Sequence, residues 1–325
     1  MTAPTRTGTP RIAPSPRGAA PVARPGAGRR EGRLRAQLAA WAFLAPIAIY
    51  LAVFYAYPLY RNLDLSVRRY TVRSFVYGDA PFIGLGNYRM ITADPTFLPA
   101  LTNTAVFTLV SLTCQFAIGM ALAVFFSQHF RLSAVLRALF LVPWLLPLIV
   151  SASTWSWMLN SESGVVNSAL AALGIGPINW LTSPHWSLTA VIIANIWIGI
   201  PFNLVVLHSG LQGISPQIHE VATVDGASSW QRFWHITFPL LRPVSAITLV
   251  LGLVYTLKVF DIIWIMTKGG PVDSSTTLAT WSYRLGFGNP LPQFGPGAAV
   301  GNLLILLAVA FGLVYIRVQQ RQWQS

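Results

Sequence analysis

Residues 101–126 read LTNTAVFTLVSLTCQFAIGMALAVFF, a run with no Asp, Glu, Lys, Arg or His. A bilayer core of about 30 Å is crossed by roughly 20 helical residues, so this stretch is long enough to span one. Backbone amides and carbonyls in lipid must be satisfied within the segment, and a run this long and continuously apolar does so as a helix rather than as a barrel strand. Five further stretches share the pattern, near 38–60, 138–159, 187–208, 244–266 and 297–317. Within the six, the charged or imidazole side chains are His208, Lys258, Asp261 and Arg317. His208 and Arg317 sit at ends, where a polar group reaches the headgroups. The expected fold is therefore an all-α membrane protein with six transmembrane helices in one domain over 38–325.

Composition agrees. The 325 residues are 54% hydrophobic and 10% charged, against about 25% charged in typical soluble domains, which argues against a soluble enzyme. The net charge of +13 points at first to nucleic acid, but eight Arg lie before residue 37 with Glu31 as the one acid there. The excess is thus largely a terminal feature, and no nucleic-acid partner is expected. Residues 1–37, rich in Pro, Ala, Gly, Thr and Arg and without aromatic residues, read as a disordered basic tail that sets topology and could touch anionic membrane lipid. With the N-terminus in the cytoplasm, fourteen Lys and Arg fall inside and seven outside. That bias puts both termini in the cytoplasm.

Enzyme signatures fail on inspection. His219-Glu220 opens like HExxH, but Thr223 stands where the second zinc ligand would be. GxxxxGK[ST] and GxSxG are absent, and the single Cys114 allows neither an internal disulfide nor a CxxC pair. No metal or cofactor is expected on this chain.

The segment between the fourth and fifth spans, 209–243, carries the most information. From residue 211 it reads LQGISPQIHEVATVDGASSWQRFWHITFPLLRP. Ser215-Pro216 is a helix start, because Ser caps free amides and Pro has none to satisfy at the first helical position. A short helix to about Asp225 follows, with Ile218, Val221 and Ala222 on one face. Gly226 stops it, and Ser228 or Ser229 can cap a second helix in which Trp230, Phe233 and Trp234 form an apolar stripe. The loop reads as helix, glycine turn, helix, amphipathic and in need of a lipid or protein partner.

Glu220, Val221, Ala222, three residues, Gly226, nine residues, Ile236, one residue, Phe238 and Pro239 resemble the EAA loop of permease subunits in binding-protein-dependent ABC importers. Val221 replaces the usual Ala and Phe238 the usual Leu. FIGLGNY at 82–88, LFLVPWLLP at 139–147 and KVFDIIWIMTKGGP at 258–271 are similar to the carbohydrate branch of that family. The resemblance, from about residue 38 onward, implies a type I ABC importer permease in the bacterial plasma membrane, working in an ATP-driven sugar importer. It implies a second homologous permease, two ATP-binding cassette ATPase subunits carrying ATP and Mg, and an extracytoplasmic sugar-binding protein. It also implies that Glu220, Val221, Ala222, Asp225, Gly226, Ala227, Ile236 and Pro239 belong to a coupling helix and its surroundings, seated on an ATPase. The alternative class is a membrane-embedded enzyme acting on a lipid-linked substrate, which would need acids clustered at one membrane face; here they are scattered.

Candidate pathway residues lie in spans four and five. Asn195, Trp197 and Asn203, beside Gly199 and Pro201, suit sugar recognition through amides and ring stacking, although helix packing explains the Gly and Pro equally well. Lys258 and Asp261, three apart, are expected to meet on one helix face. They either line a translocation cavity or form a structural pair near the outer third of the helix.

Overall fold

The computed structural model describes residues 41–128, 130–288 and 290–323. The expected tail at 1–37 lies outside these residues. Among the described residues the regular structure is helical, with two isolated bridges, Arg68 to Phe82 and Thr71 to Gln293. The chain divides into two compact units after Pro58.

The first helix, α1 (Trp41–Ser66), is long and apolar enough to cross a membrane. Up to Pro58 it forms the first unit. It carries a π-helical turn at Ala52–Ala56, where the Tyr57 amide donates to the Ala52 carbonyl. The wider turn directly precedes Pro58, which has no N–H to donate back to residue 54.

From Leu59 onward the second unit comprises α2 (Val72–Tyr77), α3 (Gly86–Ala93), α4 (Phe97–Phe126), α5 (Ser133–Leu145), α6 (Leu148–Met158), α7 (Val165–Ala172) and α8 (Ser187–Gln212). Then come α9 (Pro216–Val224), α10 (Ser229–Leu240), α11 (Arg242–Leu257), α12 (Asp261–Met266), α13 (Leu278–Tyr283) and α14 (Phe294–Trp323). Among the described residues four helices can cross a bilayer by length and composition, or up to six if the bent pairs α5–α6 and α10–α11 each count as one span.

Two expected straight spans are not straight. The stretch 138–159 is two helices bent by 98°. Pro143 lies inside α5, and Pro147 restricts Leu146 to extended backbone at φ −75° and ψ 140°, which ends the helix. The stretch 244–266 breaks after Leu257 and restarts at Asp261. Lys258 and Asp261 therefore do not share a helix face. Lys258 instead ends one helix and Asp261 opens the next, so each charge complements the partial charge of the helix terminus it occupies.

The central packing is α4 against α8. Two glycines let these helices approach. A Cβ on Gly119 would lie 2.4 Å from Asn203 Cβ, and one on Gly199 would lie 2.2 Å from Gln115 Cδ. Small residues facing large ones in this way suit helix pairs in lipid, where close van der Waals contact is the main attraction. Toward one end of α8, Leu204 and Leu207 join Met120, Phe126 and Leu241 in a buried cluster. Toward the other, Val191 and Ala194 pack with Phe107, Ile262 and Ile263.

The segment 82–88 has a structural reading of its own. Asn87 is buried and its amide donates to the carbonyls of Ser66 and Arg68, both at 2.8 Å. Tyr88 donates to Ser66 Oγ at 3.0 Å, and Asn302 Nδ2 reaches Tyr88 Oη at 3.3 Å. This network ties the end of α1 and the residues just after it to α3 and α14.

Candidate functional site: a cavity and a helical loop

A cavity of about 430 Å³ opens among α4, the α5–α6 bend, α8 and the α11–α12 break. Its polar lining comes from Gln115, Asn195, Thr256, Lys258 and Asp261, and its aromatic lining from Trp144, Phe202, Tyr255 and Phe260. Each arrives by a backbone irregularity or a close helix contact. Gln115 crosses the glycine-mediated approach of α4 to α8, and its Nε2 donates to the Asn195 carbonyl at 2.9 Å. Asn195 is buried, and its Nδ2 has no partner among the described residues, which leaves an uncommitted donor at the cavity wall. Trp144 is delivered by the Pro143 to Pro147 bend. Lys258 and Asp261 are delivered by the break between α11 and α12.

The two charges are exposed and form no ion pair with each other. Lys258 Nζ lies 4.8 Å from the centroid of the Tyr255 ring, a cation–π contact that holds the ammonium beside the cavity. Phe202 packs edge-on against both Trp144 and Tyr255. A wall of aromatic faces with a few amide and charged groups can stack an apolar sugar face and hydrogen-bond its hydroxyls.

Of the five expected pathway residues, the cavity gathers Asn195, Lys258 and Asp261. Trp197 packs edge-on against Trp155 at 6.0 Å. Asn203 is buried against Gly119, with its Nδ2 donating to the Gly199 carbonyl at 2.9 Å. Neither of these two lines the cavity. Gln115, Trp144, Tyr255 and Phe260 were not singled out from the sequence. Gln115 had a signal, as the one amide side chain in the middle of an otherwise apolar span; the aromatic residues were hidden among many others.

The loop after α8 is a pair of helices joined by a tight turn. Ser215 is the N-cap of α9 with Pro216 at its first position, though the Ser215 hydroxyl contacts the Gln217 side chain instead of a backbone amide. The helix ends in a Schellman arrangement. The Ala227 amide donates to the Ala222 carbonyl at 2.9 Å and the Gly226 amide to the Thr223 carbonyl at 3.1 Å, with Gly226 at φ +79°. Ser228 then caps α10 in a capping box with Gln231. The Arg232 guanidinium donates to the Thr223 hydroxyl and, at 3.2 Å, to Ser229 Oγ. The two arms are thereby fastened together.

Glu220, Val221, Asp225 and Gly226 are exposed, Ala222 is buried, and Ala227, Ile236 and Pro239 are half-buried. Neither Glu220 nor Asp225 is in an ion pair among the described residues. Ile236 lies in a π-helical turn, Phe233–Thr237, where the Phe238 amide donates to the Phe233 carbonyl. That shifted pattern precedes Pro239, which cannot donate.

The comparisons with known proteins agree with this architecture. Residues 115–324 match the family model described as binding-protein-dependent transport system inner membrane component. The chain belongs to that family, and is a multi-pass inner-membrane permease component of an ABC transporter, a transport subunit and not an enzyme. It is 34% identical over 275 residues to the trehalose/maltose transport system permease protein MalF of Thermococcus litoralis, covering 85% of this chain and 91% of that one. It is also 34% identical to the lactose transport system permease protein LacF of Rhizobium radiobacter, covering 84% and 91%. A crystal structure of a bacterial ABC transporter involved in the import of the acidic polysaccharide alginate contains a chain that superposes with a TM-score of 0.77 at 25% identity, covering 90% of this chain and 99% of that one.

Proposed function

We propose that this chain forms half of the translocation pathway of an ATP-driven saccharide importer, with the cavity around Gln115, Asn195, Lys258 and Asp261 as its share of that pathway. The convergence of amide, charged and aromatic side chains on one cavity carries the reading. Relatives named for trehalose/maltose, lactose and alginate support the substrate class. In this reading the spans are α1, α4, the bent pair α5–α6, α8, α11 with α12, and α14, giving six, and both termini are cytoplasmic. Residues 1–37 are a separate basic tail ahead of the permease domain at 38–325.

The loop 209–243 is proposed to couple the chain to an ATPase subunit, with Glu220, Val221, Ala222, Asp225, Gly226 and Ala227 at the contact and Ile236 and Pro239 behind it. It lies in sequence between α8 and α11, and both helices carry cavity residues. Arg232 fastens its two arms, and a Cβ on Gly210 would lie 2.9 Å from Leu241 and Val244 side chains, so the end of α8 is closely packed on the start of α11. A push on α9 would then pass to two cavity walls at once, a two-state element that ATP-driven closure could bias. ATP and Mg reside on two partner ATPase subunits; a second permease supplies the other half, and an extracytoplasmic binding protein delivers the sugar.

The test is uptake of labelled maltose, trehalose and lactose into proteoliposomes holding the whole transporter and its binding protein. Saccharide uptake that depends on ATP, and that Asn195→Ala and Asp261→Ala lower at least tenfold, is the expected result. Undiminished uptake by both variants would overturn the cavity assignment.

A further inference from the structure

The second arm of the loop presents a surface that coupling through α9 leaves unused. Trp230 is 71% exposed and Trp234 45%. Their rings lie 5.7 Å apart, and Phe238 continues the row 5.4 Å beyond Trp234. The opposite side of the same helix is docked, with Thr237 buried and the following Leu241 in the cluster of Leu204, Leu207 and Phe126. The two Trp rings thus point away from the bundle, while Phe238 at the end of the row packs against that cluster, so the helix is already fixed to it.

The position of this arm identifies what the rings meet. α10 runs into α11 through Leu241 alone, and the two are bent by 69°. From Trp230 to Arg242 the helix is about 18 Å long at 1.5 Å per residue, and a 69° bend projects that to about 6 Å along the axis of α11. Interfacial layers of about 5 to 8 Å flank each side of the hydrocarbon core. With α11 along the bilayer normal, Trp230 and Trp234 therefore sit at headgroup depth, where Trp is enriched because its ring is apolar and its N–H polar. The charge agrees. From Gly226 to Phe260 there is no Asp or Glu, while Arg232, His235 and Arg242 lie on or beside α10. A basic helix edge of this kind complements the anionic lipid of a cytoplasmic leaflet.

We infer that α10 is an interfacial anchor whose Trp230 and Trp234 rings insert among phospholipid headgroups, so that the loop meets two partners: protein along α9 and lipid along α10. The inference rests on the cytoplasmic placement of the loop given above. It would make the lipid surface a fulcrum, holding one arm while the other is pushed.

Photocrosslinking in the assembled transporter tests this. p-Benzoylphenylalanine is placed at position 230, at 234 or, separately, at Val221, in proteoliposomes of phosphatidylethanolamine and phosphatidylglycerol, and adducts are identified by mass spectrometry. The aromatic replacement keeps the helix intact. Lipid adducts at 230 and 234 at least fivefold above those at 221 are expected. ATPase or permease adducts at 230 and 234, or none, would overturn the anchor. An ATPase adduct at 221 reports on the coupling reading independently, so the two can fail separately.

Discussion

Gln115 on α4 donates its amide N–H to the main-chain carbonyl of Asn195 on α8 at 2.9 Å, directly across from Gly199. One bond thus joins the tightest helix pair to the cavity wall. It leaves the Asn195 side-chain Nδ2 free for another partner.

Replacing Gln115 by Leu keeps the volume but leaves that carbonyl without its added donor, and is expected to cost about 1 to 3 kcal/mol. Gly119→Ala forces a Cβ to within 2.4 Å of Asn203 Cβ and is expected to cost a similar 1 to 3 kcal/mol through overpacking. Gly199→Ala displaces the buried Gln115 amide and with it the bond to Asn195, and should cost about as much as Gln115→Leu. Thermal unfolding of the purified complex in detergent measures all three; an unfolding temperature for Gly119→Ala equal to wild type would contradict the described approach.

Gly226 has φ +79°, and a Cβ there would meet nothing within 4 Å. The penalty for substitution is therefore backbone strain alone, about 1 to 2 kcal/mol for an ordinary residue. Asn, which tolerates this region, should retain most uptake, Ala less and Val least, while membrane insertion of all three is preserved. Glu220→Ala is expected to lower uptake with assembly intact. Uptake assays alongside quantification of the assembled complex read both effects, and wild-type transport by Gly226→Val and Glu220→Ala would remove the coupling proposal.

Lys258 is the C-cap of α11, Asp261 opens α12, and the two do not pair. A double-mutant cycle of Lys258→Gln and Asp261→Asn on complex stability is expected to show coupling below about 0.5 kcal/mol, the level of independent sites. Coupling above 1.5 kcal/mol would show that they form a pair after all.

Asp273 lies in the connection between α12 and α13. Partial burial pushes its pKa up, but hydrogen bonds from Arg284 and the Thr276 hydroxyl outweigh that and hold it below the ordinary 3.8. A carboxylate with a depressed folded-state pKa contributes stability that is complete above 3.8 and lost as the pH falls through the lower folded value. Asp273→Asn should therefore destabilise by about 1 kcal/mol at pH 7, as expected for a partly exposed pair. The difference from wild type should shrink as the pH falls from 3.8 through the lower folded value. Chemical or thermal denaturation across that acid range and at pH 7 measures it.

Val272 has φ 47° and is 93% exposed. A β-branched side chain gains nothing there and is strained. Val272→Gly or Val272→Asn is expected to stabilise the complex by about 1 kcal/mol, read as a raised unfolding temperature.

Hydropathy alone determined that the chain is a helical membrane protein, because a long apolar run has only one way to satisfy its backbone in lipid. The loop 209–243 was equally legible, since Ser215-Pro216, Gly226 and Ser228 act through local backbone chemistry. Periodicity did not show where helices bend or which side chains meet. The 98° turn at Leu146 follows from two prolines whose combined effect depends on neighbouring packing. The break at Lys258 follows from two charges that are better placed at helix ends than along one face. Asn203 and Trp197 read as pathway residues in the sequence, and close packing turned them elsewhere, while Gln115 entered the cavity wall because Gly199 lets α4 approach. Which polar groups share a cavity is set by contacts 80 residues apart, and only the tertiary structure decides those.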